Sequence, residues 1–316
     1  MLTATRIELR GVTQHSDYPD GVMAECKLDK LNVVPTSCGD LIPHYTEPDV
    51  RTKDAKSMSF YPSGAIRVIN LESQTLIPTP LGAIPAELVT FYEDGQLDGV
   101  FPLNGHIGFG WTEAEELKLA RPFTFSFSFG EVTAKIINVR FYPTGEVKSL
   151  TLWSGETVKL TTPAGIFPAR AGLRLHPNGA LASFEPATPI AIRTPIGFVQ
   201  AYDVDALTMA GDQNSVRFYE AGRLTHVATS GDIIIASESS DTHRISSRTC
   251  LALARDIPVK LAIEIFFDGD QVTIDSGEVC QTFSLTDTRF VALPDIDTVS
   301  LGACDLGCDS CSLGCA

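Results

Sequence analysis

The heptapeptide FYPSGAI at residues 60–66 decides the fold, because close variants of it recur along the chain. In each copy an extended run ends at an aromatic or similar residue, two turn-forming residues follow, and a glycine comes next. Glycine at this place supplies the positive φ of a type I turn followed by a β-bulge, so each copy predicts a β-hairpin. The other copies are DYPDGVM at 17–23, FYEDGQL at 91–97, FYPTGEV at 141–147, LHPNGAL at 175–181 and FYEAGRL at 218–224.

The copies are irregularly spaced. Their tyrosine-type positions are 18, 61, 92, 142, 176 and 219, which are separated by 43, 31, 50, 34 and 43 residues. Self-similarity at periods of this size is the signature of repeat architectures. The sequence therefore predicts a tandem array with an irregular unit of about 40 residues.

A second element alternates with the first. It places a threonine and a proline at a turn corner, with glycine two residues after the proline, which predicts another chain reversal. Its copies are TPLGAIPA at 79–86, TPAGIFPA at 162–169 and TPIGFVQA at 194–201, with looser relatives TSCGDLIP at 36–43 and SFGEVTA at 128–134. Both elements match between residues 60–102 and 141–186, and a duplication is the simplest explanation.

Runs of alternating apolar and polar residues connect these turns. In AIRVINL at residues 65–71, Ile66 and Val68 fall on one face of an extended chain and Arg67 and Ile69 on the other. We therefore predict an all-β fold, a repetitive antiparallel β-hairpin meander of roughly 15 to 20 short strands with one or two short helices.

One helix is predicted at WTEAEELKLA, residues 111–120. Thr112 and Glu115 have the spacing of a capping box, and Pro122 prevents further extension. We expect this helix to act as a lid or plug. The sequence leaves open a second short helix near residues 203–210 and a third near residues 247–255.

The repeats set the predicted domain boundaries. Residues 1–245 form the β-hairpin repeat domain, and the repeat fades from residue 245 onward. Residues 246–292 are predicted to be a C-terminal β-rich extension, in which FFDGDQV at 266–272 indicates one more hairpin. Residues 293–316 are interpreted as a linker and a cysteine-rich tail.

The FY-x-x-G-x-aliphatic pattern resembles that of bacterial MORN-type repeat proteins, in which such strings also form consecutive hairpins. The resemblance covers residues 17–224 as six short islands. It implies an elongated, non-catalytic scaffold that binds other proteins.

Charge and composition exclude several classes of partner. The chain has 316 residues, and its 24 Lys and Arg against 39 Asp and Glu give a net charge of −15. Such a balance repels phosphate backbones and anionic headgroups, so we expect no binding to nucleic acid or membranes. No secretory signal or membrane span is recognisable, and we expect a cytoplasmic protein whose thiols stay reduced.

The C-terminal sequence CDLGCDSCSLGCA contains four closely spaced cysteines, Cys304, Cys308, Cys311 and Cys315. Thiolates at this density can surround a tetrahedral zinc ion or an iron–sulfur cluster, and the small residues between them permit tight wrapping. The same spacing would also suit a redox-active or disulfide-bonded tail, or an inert one.

Other chemistry-bearing residues form no recognisable catalytic motif. Four further cysteines, Cys26, Cys38, Cys250 and Cys280, are interpreted as core residues, although Cys38 lies in a turn and is expected to be exposed. If the hairpins align, the tyrosine-type positions would form a ladder that serves either as a ligand platform or as sheet packing. An enzyme is therefore not expected.

Two functional hypotheses follow. The first is a non-enzymatic β-repeat scaffold that binds a protein partner and carries a C-terminal zinc or iron–sulfur site. The second is a redox or metal-handling accessory protein whose cysteine tail transfers electrons, sulfur or metal to a partner enzyme. A structural site would hold its metal against mild chelators, whereas a delivery site would release it.

Overall fold

A computed structural model describes residues 8–47, 49–51, 56–104, 110–204, 206, 214–237, 242–251 and 258–295. These residues contain 26 strands and one helix, and the strand pairs whose register is described are antiparallel. The all-β hairpin meander is therefore confirmed. There are more strands than predicted, because several have only three residues, too few to show an alternating pattern.

The described residues belong to two compact units. Unit 1 comprises Met1–Glu156 with Leu175–Gly179, and unit 2 comprises Thr157–Arg174 with Ala180–Ala316. The domain boundaries predicted at residues 245 and 292 stay predictions.

Unit 1 contains eleven of the described strands and the helix. They are β1 (Val12–Asp17), β2 (Met23–Leu28), β3 (Val34–Thr36), β4 (Gly39–Leu41), β5 (Met58–Phe60), β6 (Ile66–Thr79), β7 (Gly82–Phe91), β8 (Leu97–Phe101), α1 (Glu113–Leu119), β9 (Pro122–Phe127), β10 (Gly130–Phe141) and β11 (Val147–Leu152). The ladder runs β1-β2-β5-β6-β7-β8-β10-β11, while β3 pairs with β4 and β9 with β10.

Unit 2 contains the remaining described strands. They are β12 (Thr157–Thr162), β13 (Gly165–Leu175), β14 (Leu181–Pro186), β15 (Ile190–Thr194), β16 (Gly197–Ala201), β17 (Val216–Phe218), β18 (Leu224–Thr229), β19 (Ile233–Ser237), β20 (His243–Ile245), β21 (Thr249–Leu251), β22 (Pro258–Lys260), β23 (Ile263–Asp268), β24 (Gln271–Asp275), β25 (Cys280–Ser284) and β26 (Thr288–Ala292). A ladder β14-β17-β18-β23-β24-β25 is accompanied by the pairs β12–β13, β15–β16 and β21–β22 and by the order β20-β19-β26.

The core consists of rows of apolar side chains that cross neighbouring strands in register. In unit 1 the members of one such row are each at most 1 % exposed: Cys26, Met58, Ile69, Val89, Val100, Val139 and Leu150. In unit 2 the corresponding row is fully buried: Phe184, Val216, Val227, Ile265 and Ile274. Side chains directly opposite each other lie on one face of a sheet, so the alternation in sequence becomes a continuous buried face.

The heptapeptide copies form the predicted hairpin turns. At FYPSGAI, the N–H of Gly64 donates to the carbonyl of Tyr61 at 2.8 Å, and the N–H of Tyr61 donates to the carbonyl of Ala65 at 2.8 Å. Gly64 has φ of +83°, which a side chain would strain. The ladder shifts register next to Phe60, as expected of a bulge. The same two turn bonds recur at Tyr18, Tyr92, Tyr142 and Tyr219.

The threonine of the second element has a structural role in its turn. The hydroxyl of Thr79 donates to the carbonyl of Gly82 at 2.7 Å and accepts the N–H of Leu81 at 3.1 Å. This side-chain bonding closes a two-residue reversal. Three other threonines make the same bond to the glycine three residues later, namely Thr36, Thr162 and Thr194.

Tyrosine hydroxyls connect successive hairpins of unit 1. Each donates to the carbonyl of the residue that precedes the next tyrosine-type position, at 2.7 to 2.9 Å. The pairs are Tyr18 to Phe60, Tyr61 to Phe91, Tyr92 to Phe141 and Tyr142 to Leu175. These hydrogen bonds tie each hairpin of unit 1 to the next, while the role of the aromatic ladder as ligand platform or sheet packing stays a prediction.

The predicted helix is confirmed as α1. Thr112 is its N-cap, and the reciprocal bonds between Thr112 and Glu115 complete the capping box. A helix near 247–255 is wrong for the described residues there, because Thr249–Leu251 is a strand whose pairing with β22 overrides local propensity. Most of the segment near 203–210 lies outside the described residues. Among those described, no helix has the length and apolar character to cross a bilayer.

Candidate functional site

The candidate site lies in the parts of unit 1 where the interval between successive heptapeptide copies is longer than in its shortest repeat. The interval from Tyr61 to Tyr92 has 31 residues, whereas the intervals before and after it have 43 and 50. The longer intervals include the connection between β4 and β5 and the connection between β8 and β9, which contains α1. We call these two connections the insertions.

The insertions meet at Arg51. Its guanidinium forms a two-point ion pair with Glu116 of α1, with Nε at 2.7 Å and Nη2 at 2.6 Å from the carboxylate oxygens. Nη2 also lies 2.6 Å from Glu87 of β7. The indole N–H of Trp111 donates to the Glu116 carboxylate at 2.7 Å. Hydrogen bonding to Glu116, above all, raises the pKa of Arg51 beyond its ordinary value.

Glu116 is fully buried, and these contacts explain how it can be. A buried carboxylate is tolerated when it is paired and its lone pairs accept hydrogen bonds. The capping box begins α1 at a point that places Glu116 opposite Arg51. The helix thereby joins the second insertion to the first.

A second polar cluster centres on Glu72 of β6. Its carboxylate accepts hydrogen bonds from the N–H of Tyr45 at 2.9 Å and the hydroxyl of Thr46 at 2.8 Å, and lies 3.1 Å from Nδ1 of His44. Partial burial opposes ionisation of Glu72, but these hydrogen bonds outweigh it and lower the pKa of Glu72. Glu72 therefore holds the first insertion against β6 as an anion.

Two buried polar atoms of this region lack a hydrogen-bond partner among the described residues. They are Nε2 of His44 and Oδ1 of Asn70. Asn70 is 8 % exposed, and its Nδ2 donates to the carbonyl of Lys56 at 2.6 Å, which leaves the oxygen as the unsatisfied end of the amide. Burying such an atom without a partner costs about 1–3 kcal/mol.

A cavity of about 260 Å³ opens between these clusters. Its walls include His44, Asp49, Arg51, Asn70 and Glu72. A second cavity of about 190 Å³ has two residues in common with it, Gln74 and Glu87, and is otherwise mainly apolar. The apolar walls are Pro85, Pro102, Leu103, Leu119, Ala120, Phe123 and Ile136, and Arg121 is the remaining lining residue.

Unit 2 contains a different buried carboxylate. Glu185 of β14 accepts the N–H of Ser215 at 2.8 Å, and Nη2 of Arg170 lies 3.9 Å away. Burial, opposed only in part by the Ser215 hydrogen bonds and by Arg170, raises the pKa of Glu185 to about 7. A carboxyl group that titrates near neutrality can exchange a proton at physiological pH.

A buried histidine of unit 2 also forms an ion pair. His226 of β18 is 1 % exposed, and its Nε2 contacts the carboxylate of Glu264 on β23. Burial, against the effect of Glu264, lowers the pKa of His226. The ring packs against Phe266, with centroids 4.8 Å apart, so this pair is part of the sheet packing.

The predicted metal ligands Cys304, Cys308, Cys311 and Cys315 lie outside the described residues. Within the part of the chain that the structure describes, no three Cys, His, Asp or Glu side chains form a group able to hold a metal ion. The tail site stays a prediction.

The four other cysteines differ in environment. Cys26 is 1 % exposed in the core, as predicted, and burial raises the pKa of its thiol to about 11. Cys38 is half-buried against Thr36 rather than exposed, and burial also raises the pKa of Cys38. Cys250 has intermediate exposure. Cys280 is exposed, so its interpretation as a core residue is wrong, because it begins β25, whose first three residues are all exposed.

Sequence reasoning missed His44, Arg51, Asn70, Glu87 and Glu116. None belongs to a repeated motif, and their partners are up to 65 residues apart. The available signal was the irregular repeat spacing, since insertions in repeat proteins commonly form the binding face.

Comparisons of the chain with protein-family models, with curated proteins and with solved structures found no match. The resemblance to MORN-type repeats stays an expectation from sequence. The arguments about function consequently rest on the residues and geometry of this chain.

Proposed function

We propose that this protein is a non-enzymatic β-hairpin repeat scaffold that binds a partner protein in the cytoplasm. The observation that carries the proposal is the cavity formed where the two insertions meet on an otherwise regular ladder. In repeat proteins each unit contacts only its neighbours, and insertions on one face commonly supply the binding surface. The resemblance to MORN-type scaffolds supports the same function.

The frame beneath the cavity is suited to this task. Tyrosine hydroxyls link successive hairpins, and the buried row of unit 1 passes through β5 to β8, whose ends carry the insertions. A preorganised surface loses less conformational entropy on binding than a flexible one. The scaffold therefore presents the cavity walls in a defined arrangement.

A variant that narrows the cavity tests the binding function. Ser73 lines the larger cavity and is exposed, so Ser73→Trp should obstruct the entrance without disturbing the core. Ser126→Trp is the matched control, because Ser126 is an exposed strand serine that lines neither cavity.

The measurement is capture of a partner from a cell extract by the intact chain, followed by titration with the purified partner. We expect Ser73→Trp to weaken partner binding at least about tenfold and Ser126→Trp to leave it unchanged. Equal binding by the wild type and both variants would contradict a partner site at the cavity.

The proposal also includes a zinc or iron–sulfur site formed by the four tail cysteines. The test is anaerobic purification followed by metal and sulfide analysis, on the wild type and on a variant with serine at 304, 308, 311 and 315. Cys280→Ser is the control, since Cys280 is exposed and outside the tail. We expect bound metal in the wild type and the control alone, and a metal-free wild type would refute the site.

The stability of any bound metal separates the two sequence hypotheses. A scaffold with a structural site should keep its metal against a mild chelator. Rapid release, or cycling on reduction, would favour the redox or metal-handling accessory instead.

A further inference from the structure

We infer that the cavity of unit 1 binds an organic cation, a primary ammonium or guanidinium group carried on a short apolar chain. The inference rests on the proposed binding function and specifies the chemistry that the cavity recognises. Three independent features support it: the charge of the walls, the unsatisfied acceptors and the adjoining apolar cavity.

The charge of the larger cavity is strongly negative. Four carboxylates line it, from Glu47, Asp49, Glu72 and Glu87. Among the described residues Arg51 is the only arginine or lysine that lines this cavity, and its charge is already matched by the buried Glu116. An incoming cation is therefore attracted, and an anion is repelled, because the surrounding protein screens less than water does.

The two atoms without a partner in the described part of the chain are hydrogen-bond acceptors. Oδ1 of Asn70 is an acceptor by chemistry. His44 Nδ1 faces the Glu72 carboxylate and so carries the proton in the neutral ring, which makes Nε2 an acceptor as well. A group with several N–H donors and no acceptor matches this arrangement, and ammonium and guanidinium groups are both of this kind.

The smaller cavity accommodates the rest of the ligand. It shares Gln74 and Glu87 with the larger cavity, in which the cationic group of the ligand binds. Its other walls include Leu103, Leu119 and Phe123. Each cavity is smaller than the roughly 300 Å³ at which drug-sized sites begin. The occupant is therefore a short aliphatic chain ending in a cation, such as a small amine or the side chain of lysine or arginine.

A metal ion fits these observations less well. In the described residues no three potential metal-ligating side chains converge, and the carboxylates are distributed around the walls. Calcium and magnesium ions need six or more oxygen ligands at short distances. An organic cation binds through N–H hydrogen bonds and does not require oxygen ligands converging on one point.

The experiment is calorimetric titration of the intact chain with n-butylammonium chloride at low and constant ionic strength. Butan-1-ol, which has the same chain and no charge, and methylammonium, which has the charge and no chain, are the reference ligands. We expect n-butylammonium to bind at least about tenfold more tightly than either. Equal weak binding of all three would overturn the inference.

Two variants locate the cationic end. Glu47→Gln with Asp49→Asn removes two exposed charges, and asparagine can still accept the N–H of Arg51 as Asp49 does at 2.9 Å. The control is Glu93→Gln with Asp94→Asn, an exposed pair in a hairpin turn where Asp94 likewise accepts the N–H of Gln96. We expect about tenfold weaker binding in the first variant only; equal losses in both would indicate unspecific attraction and refute the site.

Leu119→Gln locates the apolar end. Leu119 is the last residue of α1 and 45 % exposed, so the change should not unfold the helix. We expect it to abolish the advantage of n-butylammonium over methylammonium. Leu76→Gln, at an exposed leucine of β6 outside both cavities, should preserve that advantage. If Leu119→Gln preserved the advantage and Leu76→Gln abolished it, the alkyl chain of the ligand would bind elsewhere and the inference would be overturned.

A further titration distinguishes the two sources of the cation. Binding of Nα-acetyl-lysine amide at least as tight as that of n-butylammonium would identify a side chain of a partner protein as the occupant. Binding of the free amine alone would identify a small molecule. If no cation binds but Ser73→Trp still abolishes partner capture, the scaffold function stands and only the ligand chemistry is wrong.

Discussion

Glu116 and Glu185 are both completely buried glutamates, one in each compact unit, and their surroundings differ. Glu116 has a guanidinium at 2.6 and 2.7 Å and an indole N–H. Glu185 has a backbone N–H at 2.8 Å and a guanidinium no nearer than 3.9 Å. The difference shows what the insertions add: they bring a full counter-charge to a buried carboxylate, whereas Glu185 in the strand ladder accepts its hydrogen bond from the neutral residue Ser215.

From this comparison we expect the loss of the Glu116 charge to reduce the free energy of unfolding more than the other changes considered below. In Glu116→Gln the guanidinium of Arg51 loses its buried partner, and breaking such a pair costs about 4 kcal/mol of the free energy of unfolding. Urea unfolding followed by tryptophan fluorescence measures this, because both tryptophans lie within residues 1–156. Glu113→Gln on the exposed side of α1 is the control, and a loss there as large as at Glu116 would mean that the ion pair contributes nothing specific.

The second prediction concerns the pH dependence of Glu185. A glutamate in the unfolded chain titrates at about 4.3, whereas burial raises the pKa of Glu185 to about 7. Below both of these values, the Glu185 carboxyl group is protonated in the folded and in the unfolded protein. As pH rises between these values the unfolded chain loses its proton first, so the free energy of unfolding falls, by roughly 4 kcal/mol in total, and then levels off.

The variant Glu185→Gln should lack this fall, because glutamine does not ionise and can still accept the N–H of Ser215. We expect it to be more stable than the wild type at pH 8 and similar at pH 4, as measured by urea unfolding with circular dichroism. Glu131→Gln, at an exposed strand residue, should keep the wild-type profile. Parallel profiles of wild type and Glu185→Gln would show that Glu185 is ionised in the folded protein.

The smallest expected effect concerns the capping box that positions Glu116. Thr112→Ala removes the side-chain acceptor of the Glu115 N–H, and a lost N-cap costs about 1 kcal/mol. Fluorescence-monitored unfolding should show this modest loss. Thr112→Ala made in the Glu116→Gln variant should lower the free energy of unfolding by less, because α1 then no longer positions a carboxylate next to Arg51. Equal losses in both backgrounds would show that the cap and the ion pair are independent.

Much of the frame could be predicted from sequence because its determinants are local. The turn at residues 60–66 is specified by Gly64 and by hydrogen bonds that close within five residues. The capping box of α1 spans four residues. The buried face follows from the alternation of side chains along each strand, which needs no knowledge of distant partners.

The candidate site could not be predicted in the same way. Arg51 and Glu116 are separated by 65 residues, and Asn70 has the pattern of an ordinary strand residue. The segment Thr249–Leu251 was misjudged for a related reason, since its strand exists through pairing with β22. Interactions of this kind depend on which segments the fold brings together, and no local pattern encodes that.

The amino-acid sequence by itself determined where the chain reverses, which side chains alternate into the core and where the helix begins, because each depends on neighbours a few residues away. Only the tertiary structure decided that the two insertions meet and that the walls of the resulting cavity carry four carboxylates and two buried polar atoms with no hydrogen-bond partner among the described residues. The physical reason is that local geometry is set by short-range sterics and hydrogen bonds, while burial and charge pairing are properties of the assembled fold.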